Sequence, residues 1–570
     1  MGDDGETGLN SGELERVSSV RSVYSWLAAL LAGVLFAVAS RIPETWPSAA
    51  LGLLVVVLLS WSAQRETCRI GGKPLKMLFC SGLAFHLIAF SWIADTISFF
   101  GGFPWVAAWA LALLFSAISS MQFVIVGVMF RLLLVGRSGK ILNQVPIYGS
   151  ELFALAWFVG EFFVPRLFPW SIVHVGIRAT NFAMLASIVG VAPLSALLLW
   201  WGGSLSELFS VKRRKALPKL LWAVRFASLF LLFVGTYQAI SLAGEFKDAP
   251  LVNLGIVQGN LDAKQKGDIK SFDVNVERYR ALSAQAIDEG AAALIWPESV
   301  INAWIGEEVT SVRGTKFDPL PVGNRVPIIF GALAYRTPSA ELIRARFGEG
   351  GELQLRNKKE LEKLYSKFNG AFALDSSATI KGRFYKKILM PFGEYLPFEA
   401  IFPSLRDISP YSGDFTPGDL SEPLPLNVQS MDGREVEMKV GALICYEDLI
   451  PSMSRSGVKR GANILVNLTN DAWYGDTPAP HQHQLLALWR AIETGRYLVC
   501  ATNTGLTSVV NPWGQTELRL DTFTPKAEVS KVRLLSGVTP YVVWGDLCSW
   551  ILATTVLVVV SLRTAHQKLG

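Results

Sequence analysis

Three short motifs in this chain carry side chains that could do covalent acyl chemistry. Leu294-Ile295-Trp296-Pro297-Glu298-Ser299 is an apolar run stopped by proline, so it reads as a buried strand that delivers Glu298 at its end. A second motif sets Lys386 and Lys387 before an apolar stretch and a Pro391-Phe392-Gly393-Glu394 turn. A third, Val440-Gly441-Ala442-Leu443-Ile444, reads as a strand with Cys445 at its C-terminal end, followed at once by Tyr446, Glu447 and Asp448. A thiol is a weak nucleophile until it loses its proton. A carboxylate can take that proton, and an ammonium can stabilise the oxyanion that forms when the sulfur attacks a carbonyl. Singly, each motif has an ordinary alternative: a surface glutamate at a turn, a solvated lysine pair, an inert packed thiol.

These motifs lie in a stretch of ordinary soluble composition, roughly 245–540, where short β-type runs alternate with polar and helical segments. Its length predicts one domain. The flanks are different. A bilayer core takes about 20 apolar residues per helix, and seven such runs precede residue 245, near 24–40, 47–63, 77–95, 104–130, 148–165, 182–201 and 218–240. An eighth lies near 541–561. The whole chain agrees: of 570 residues 51% are hydrophobic and only 18% charged, against about 25% charged in soluble proteins. That argues against a purely soluble chain and rules out a disordered one. The net charge of +6 is too mild to suggest nucleic acid. Five cysteines without a Cys-x-x-Cys pair argue against a disulfide scaffold and against a thiolate zinc site.

Basic residues give the orientation. With residues 1–23 as a cytoplasmic tail, the cytoplasmic segments carry sixteen Lys and Arg, among them Arg137, Lys140, Lys212, Arg213, Arg214 and Lys215. The opposite short loops hold only Arg41, Arg166 and Arg178. The positive-inside rule then predicts a seven-helix membrane domain over 24–244, a domain outside the cytoplasm over 245–540, and a returning span with a cytoplasmic tail over 541–570. Ala37-Val38-Ala39 looks like a peptidase site, but the first run reads as an uncleaved anchor. The charged segment near 337–366 reads as a solvated helix or excursion.

A Glu, a Lys and a Cys in that chain order, each near a strand end, resemble the carbon–nitrogen hydrolase (nitrilase) superfamily. Leu254–Asn260 looks like its first strand, and Asn467–Gly475, Arg490–Glu493 and Thr502–Gly505 match further. A domain of this kind between seven spans and one is similar to the apolipoprotein N-acyltransferase family, as are the Phe168-Pro169-Trp170 turn and the Thr539-Pro540-Tyr541 entry to the last span. Phe368-Asn369 departs from the Tyr-Asn common there.

The resemblance implies a membrane α-helical bundle of about eight transmembrane helices plus an α/β nitrilase-like αββα sandwich. It implies Glu298 as general base, Lys386 as oxyanion stabiliser and Cys445 as nucleophile, with Glu394 setting the lysine and the amine, and Tyr446 and Glu447 shaping the pocket. It implies ping-pong transfer of a fatty acyl chain from a phospholipid, through a cysteine thioester, to the α-amino group of a diacylglyceryl-modified N-terminal cysteine of bacterial apolipoproteins. The expected setting is the bacterial inner membrane with the catalytic domain facing the periplasm. No metal or cofactor is expected, and no nucleic acid partner. The aromatic stretch Tyr395–Phe402 is expected to be a loop near the bilayer that guides acyl chains.

Two rival readings compete with this one. A membrane-tethered amidase or nitrilase would admit water to the thioester, and a scaffold or transporter would not need the three residues at all. His481 and His483 have a His-x-His spacing that could bind a metal, but no carboxylate or cysteine stands near them at ligand spacing. His86 and His174 read as packing residues, Cys500 as an inert strand thiol, and Arg225 as able to snorkel. Glu151 and Glu161 bracket the fifth run and are candidates by their setting alone.

Overall fold

A computed structural model describes residues 11–41, 46–67, 73–99, 101–135, 149–177, 179–208, 217–261, 272–320, 325–347, 364–408, 412–419 and 422–569. The chain divides into two compact units, one made of 1–95, 104–236 and 546–570, the other of 96–103 and 237–545. Arg137, Lys140 and 212–215 lie outside the described residues, as does 348–363 of the charged excursion. The side chain of Arg225 lies outside them too. The described start of that excursion is a helix, Ala340–Phe347.

The first unit is helical, because its runs are apolar on every side and give a strand no polar face to expose. Ser22–Arg41, Trp105–Leu134 and Phe226–Asp248 are long and apolar enough to cross a membrane by length and composition. A fourth arises if the bent pair Pro74–Ala89 and Trp92–Phe99 is taken as one span. Large apolar side chains such as Trp105, Val106, Leu114 and Ile118 stay exposed on the second of these, as a lipid-facing surface requires. The apolar stretches Ala50–Ala63, Thr180–Val189 and Leu547–Ser561 are shorter among the described residues. The expected run 182–201 is broken into Thr180–Ala183, Ala186–Val189 and Ala192–Leu208. Gly190 takes φ +77° at the last break, a conformation that ends a right-handed helix. Helix Ser11–Arg41 packs on Trp46–Thr67 and Lys73–Ala89. At Gly33 a Cβ would lie 2.2 Å from the Ser81 carbonyl oxygen, so only glycine allows that approach.

Two polar residues of this unit are tied locally. Glu161 is buried and accepts from Trp157 Nε1 at 2.8 Å, Ser171 Oγ at 2.8 Å and the Ile172 amide at 3.3 Å. It pins the segment after helix Gly149–Phe163 back onto that helix. His86 packs in a nest of Phe85, Phe90 and Phe123, with Nδ1 2.8 Å from the Gly82 carbonyl.

The second unit is a sandwich of two sheets. The first is built from β1 (Leu251–Gln258), β2 (Ala293–Ile295), β3 (Ile301–Gly306), β4 (Ile328–Arg336), β5 (Ser366–Leu374), β6 (Ile380–Tyr385) and β13 (Lys526–Arg533). Its order is β13-β1-β2-β4-β5-β6, with β3 also on β4. The second holds β7 (Leu424–Gln429), β8 (Glu435–Ile444), β9 (Ile464–Thr469), β10 (Leu498–Thr502), β11 (Ser508–Val510) and β12 (Thr516–Arg519), in order β12-β11-β10-β9-β8-β7. The central strands β8, β9 and β10 run parallel. β9, β10 and the second half of β8 are buried on both faces, while the first half of β8 exposes Glu435, Glu437 and Lys439. Helix Phe272–Asp288 packs on β1 and β13, and helices Pro451–Lys459 and Ala479–Thr494 pack on β8, β9 and β10. The sheets meet through β1 against β10 and β5 against β7 and β8. The result is the αββα layering expected from the sequence.

Candidate active site

Glu298 follows β2 by way of Trp296 and Pro297. Trp296 is buried and donates from Nε1 to Ser283 Oγ at 2.8 Å, which anchors the strand end. The turn then lies directly on β4. A Cβ at Gly331 would come within 2.6 Å of Glu298 Cα and Pro297 O, so glycine is required there. Ser299 takes φ +49° and completes the turn that faces Glu298 inward.

Lys386 leaves the end of β6. Its amide donates to the Asn369 carbonyl at 2.8 Å, and its own carbonyl accepts from the Gly418 amide at 2.8 Å. The side chain is 2% exposed. A buried ammonium needs compensation, and it has two carboxylates: Glu394 Oε2 at 2.8 Å and Glu298 Oε1 at 3.8 Å. Burial alone works against the charged lysine. Cys445, Glu394 and Glu298 outweigh it and raise the lysine above its ordinary value. Glu394 is fixed in turn by the Met390 amide, 2.8 Å from Oε2.

Cys445 ends β8 and opens a one-turn 3₁₀ helix, Cys445–Leu449. It takes φ +52°, which for a side-chain-bearing residue costs on the order of 1–2 kcal/mol. Such strain at a strand-to-helix elbow thrusts the side chain out of the sheet. Burial pushes the thiol up to about 12, with Lys386 pulling it down and Glu298 pushing it up. The resting sulfur is therefore a neutral thiol that needs a base.

The structure brings Glu298, Lys386, Glu394 and Cys445 to one place. It gives the other two sequence candidates different surroundings. Tyr446 is buried, and burial with Tyr395 nearby pushes its phenol up to about 12. Glu447 is fully buried and serves as a clamp: one oxygen accepts from the amides of Lys387 at 2.7 Å and Ile388 at 3.1 Å, the other from the Ile444 amide at 2.9 Å. It ties the lysine segment to the cysteine strand. Burial raises its carboxyl to about 7 despite those three amides.

Two groups take roles that their sequence surroundings do not mark. Asn369 Nδ2 donates to Glu298 Oε1 at 2.6 Å and to Glu394 Oε1 at 2.9 Å, bridging both carboxylates. Nothing local in the sequence marks the asparagine as a bridge. The second is His483. It does meet carboxylates, contrary to the expectation from spacing: Asp448 Oδ1 lies 2.8 Å from Nε2 and Asp471 Oδ1 3.2 Å from Nδ1. Those acids come from the Cys445 elbow and from the segment after β9, 35 and 12 residues away. Among the described residues no group of three or more His, Cys, Asp or Glu could hold a metal ion.

Known proteins resemble this chain along nearly its whole length. The carbon-nitrogen hydrolase family matches residues 254–533, and the apolipoprotein N-acyltransferase N-terminal domain matches 32–204. An apolipoprotein N-acyltransferase of Bdellovibrio bacteriovorus is 31% identical over 440 residues, covering 74% of this chain and 73% of its own. This chain belongs to the apolipoprotein N-acyltransferase family. A member from Geobacter metallireducens is 27% identical over 548 residues, covering 95% of this chain and 96% of its own. Among solved structures, the Saccharomyces cerevisiae nitrilase-superfamily protein Nit3 aligns with 50% of this chain and 90% of its own, at 13% identity and a TM-score of 0.34. As an apolipoprotein N-acyltransferase family member with apolar helices of spanning length, the chain is a membrane-bound acyltransferase carrying a nitrilase-superfamily domain.

Proposed function

We propose that this chain moves a fatty acyl group from a phospholipid to the α-amino group of a diacylglyceryl-cysteine at the N-terminus of an apolipoprotein. Family membership names the reaction class. The observation that carries the residue assignment is the buried Lys386 held between Glu298 and Glu394, with Cys445 acting on the same ammonium.

Each step uses a group in hand. Glu298 takes the Cys445 proton as sulfur bonds to the ester carbonyl carbon. The carbonyl electron pair moves to oxygen, and the Lys386 ammonium stabilises that oxyanion. The C–O bond then breaks, the proton on Glu298 goes to the departing oxygen, and a lysophospholipid leaves. The amine attacks the thioester carbon, loses a proton to Glu298, and an amide forms as the C–S bond breaks and the thiol is restored. Splitting one acyl transfer into two additions lowers each barrier. Glu394 and Asn369 are positioning residues that keep the ammonium and the base in register.

The setting of this reading is the bacterial inner membrane, with several spans and the catalytic domain on the periplasmic side. It is supported by the apolar helices and by the distribution of Lys and Arg in the sequence. Donor, acceptor and site then share one plane, which raises their effective concentration. The test is the mass of Cys445 after incubation with phospholipid alone. A fatty-acyl adduct in wild type that is lost in Glu298→Gln is expected. No adduct in wild type, with free fatty acid released instead, would favour a hydrolase.

A further inference from the structure

A second charged cluster lies behind the nucleophile and is not used in the steps above. The His483 side chain is 9% exposed and stands in helix Ala479–Thr494. Each ring nitrogen faces one carboxylate oxygen, of Asp448 and of Asp471. Ionised carboxylates only accept hydrogen bonds, so both ring nitrogens must donate, which makes the ring an imidazolium. Asp448 is 1% exposed and Asp471 3% exposed. Two such buried acids without a cation between them would repel each other and the forming thiolate.

The cluster reaches the nucleophile through one amide. Asn467 Nδ2 donates both to the second oxygen of Asp448 and, at 3.2 Å, to the Cys445 carbonyl. Asn467 is fully buried on β9. The chain of contacts therefore runs from His483 through Asp448 and Asn467 to the residue held at φ +52°. Asp471 is braced separately by Thr469 Oγ1 at 3.3 Å. Charge points the same way. His483 lowers the thiol pKa and Asp471 raises it, so the imidazolium offsets the acids that would oppose sulfur ionisation. Burial disfavours the charged ring, but Asp448 and Asp471 outweigh it and hold His483 well above the ordinary histidine range.

We infer that His483 is a positioning residue for Cys445: an imidazolium shared by Asp448 and Asp471 that, through Asn467, fixes the elbow presenting the sulfur and keeps the field behind it from turning negative. This inference rests on Cys445 carrying the acyl group. It adds no group that touches substrate and no step to the reaction.

The test uses full-length protein in phospholipid–detergent micelles and follows thioester formation on Cys445. If wild type forms no thioester, the acyl-enzyme reading itself fails. If wild type forms it, His483→Gln should slow its formation about 100-fold, the size expected for a misplaced reacting atom, with KM for phospholipid unchanged. Asp448→Asn should do the same, and the double variant should be no slower than either single, because both break one chain of contacts. Thioester formation at the wild-type rate in His483→Gln, additive effects in the double variant, or a rise in KM alone would overturn the inference. A measurement on wild type guards against a variant that does not fold. With five histidines in the chain, isotope-labelled histidine gives a countable NMR spectrum. One ring should stay protonated on both nitrogens at about pH 9, well above the ordinary histidine value of about 6.5. Five neutral rings at that pH would overturn it.

Discussion

Lys386 pairs with Glu394 at 2.8 Å, a full ion-pair contact in the protein interior. Glu298 stands 3.8 Å from the same ammonium and is held by Asn369 instead. One carboxylate thus makes the close contact with the lysine charge, and the other stands farther from it, held by a neutral amide.

That asymmetry separates two substitutions. Glu298→Gln removes the proton acceptor and should lower the rate of thioester formation by about 10³–10⁴, the upper part of what a general base contributes. Glu394→Gln keeps the base but loosens the ammonium. It should cost about 10²-fold and leave a slow, measurable thioester. Single-turnover mass measurements of Cys445 distinguish them. Equal losses in the two variants would mean that the two carboxylates are interchangeable.

The neutral resting thiol has a pH signature. Burial sets the Cys445 thiol near 12, above its ordinary value of 9.0. A raised pKa means that the thiolate stays a minor species through the neutral range and grows tenfold with each pH unit. Iodoacetamide labelling of Cys445 should therefore keep rising up to about pH 10. A plateau near neutral pH would mean a resting thiolate–ammonium pair with Lys386.

Glu447 predicts a pH dependence of stability. Its carboxyl is raised from 4.5 to about 7 by burial, so the folded protein holds a proton there that the unfolded chain gives up near 4.5. Stability from this group is full below 4.5 and declines as pH rises towards 7. Glu447→Gln should remove that slope between pH 5 and 7, as read by the thermal inactivation midpoint. It should also lower stability by about 1–3 kcal/mol at pH 5, because an amide cannot accept from all three backbone N–H groups. An unchanged slope would place the titration elsewhere.

The segment around Glu394 exposes large apolar side chains: Phe392, Phe398, Ile401 and Phe402 are 59%, 68%, 68% and 58% accessible. Phe392 and Phe398 both take φ +64°, so the loop holds its aromatics outward against local backbone preference. Changing Phe398 and Phe402 to Ser should raise the apparent KM for phospholipid in detergent and leave kcat nearly unchanged. Unchanged kinetics would reject a role in handling acyl chains.

Much of this site is readable along the chain because its parts sit at strand ends. Apolar runs stopped by Pro297 or by the Tyr446-Glu447-Asp448 break mark where Glu298 and Cys445 emerge, and the apolar flanks mark a membrane protein. Those signals are local: a strand is specified by a few consecutive residues, and its end by the next one. The layered fold and the likeness to known acyltransferases follow from the same order of motifs. Tertiary structure alone decided which groups share charge. Asn369 bridges two carboxylates that are 96 residues apart in the chain, and His483 meets acids delivered by two other elements. Glu447, which looks in sequence like a pocket residue, turns to the backbone and clamps two strand ends. The direction of a side chain past a strand end depends on the turn's φ and ψ and on what packs above it, and neither is written in the residue's immediate neighbours.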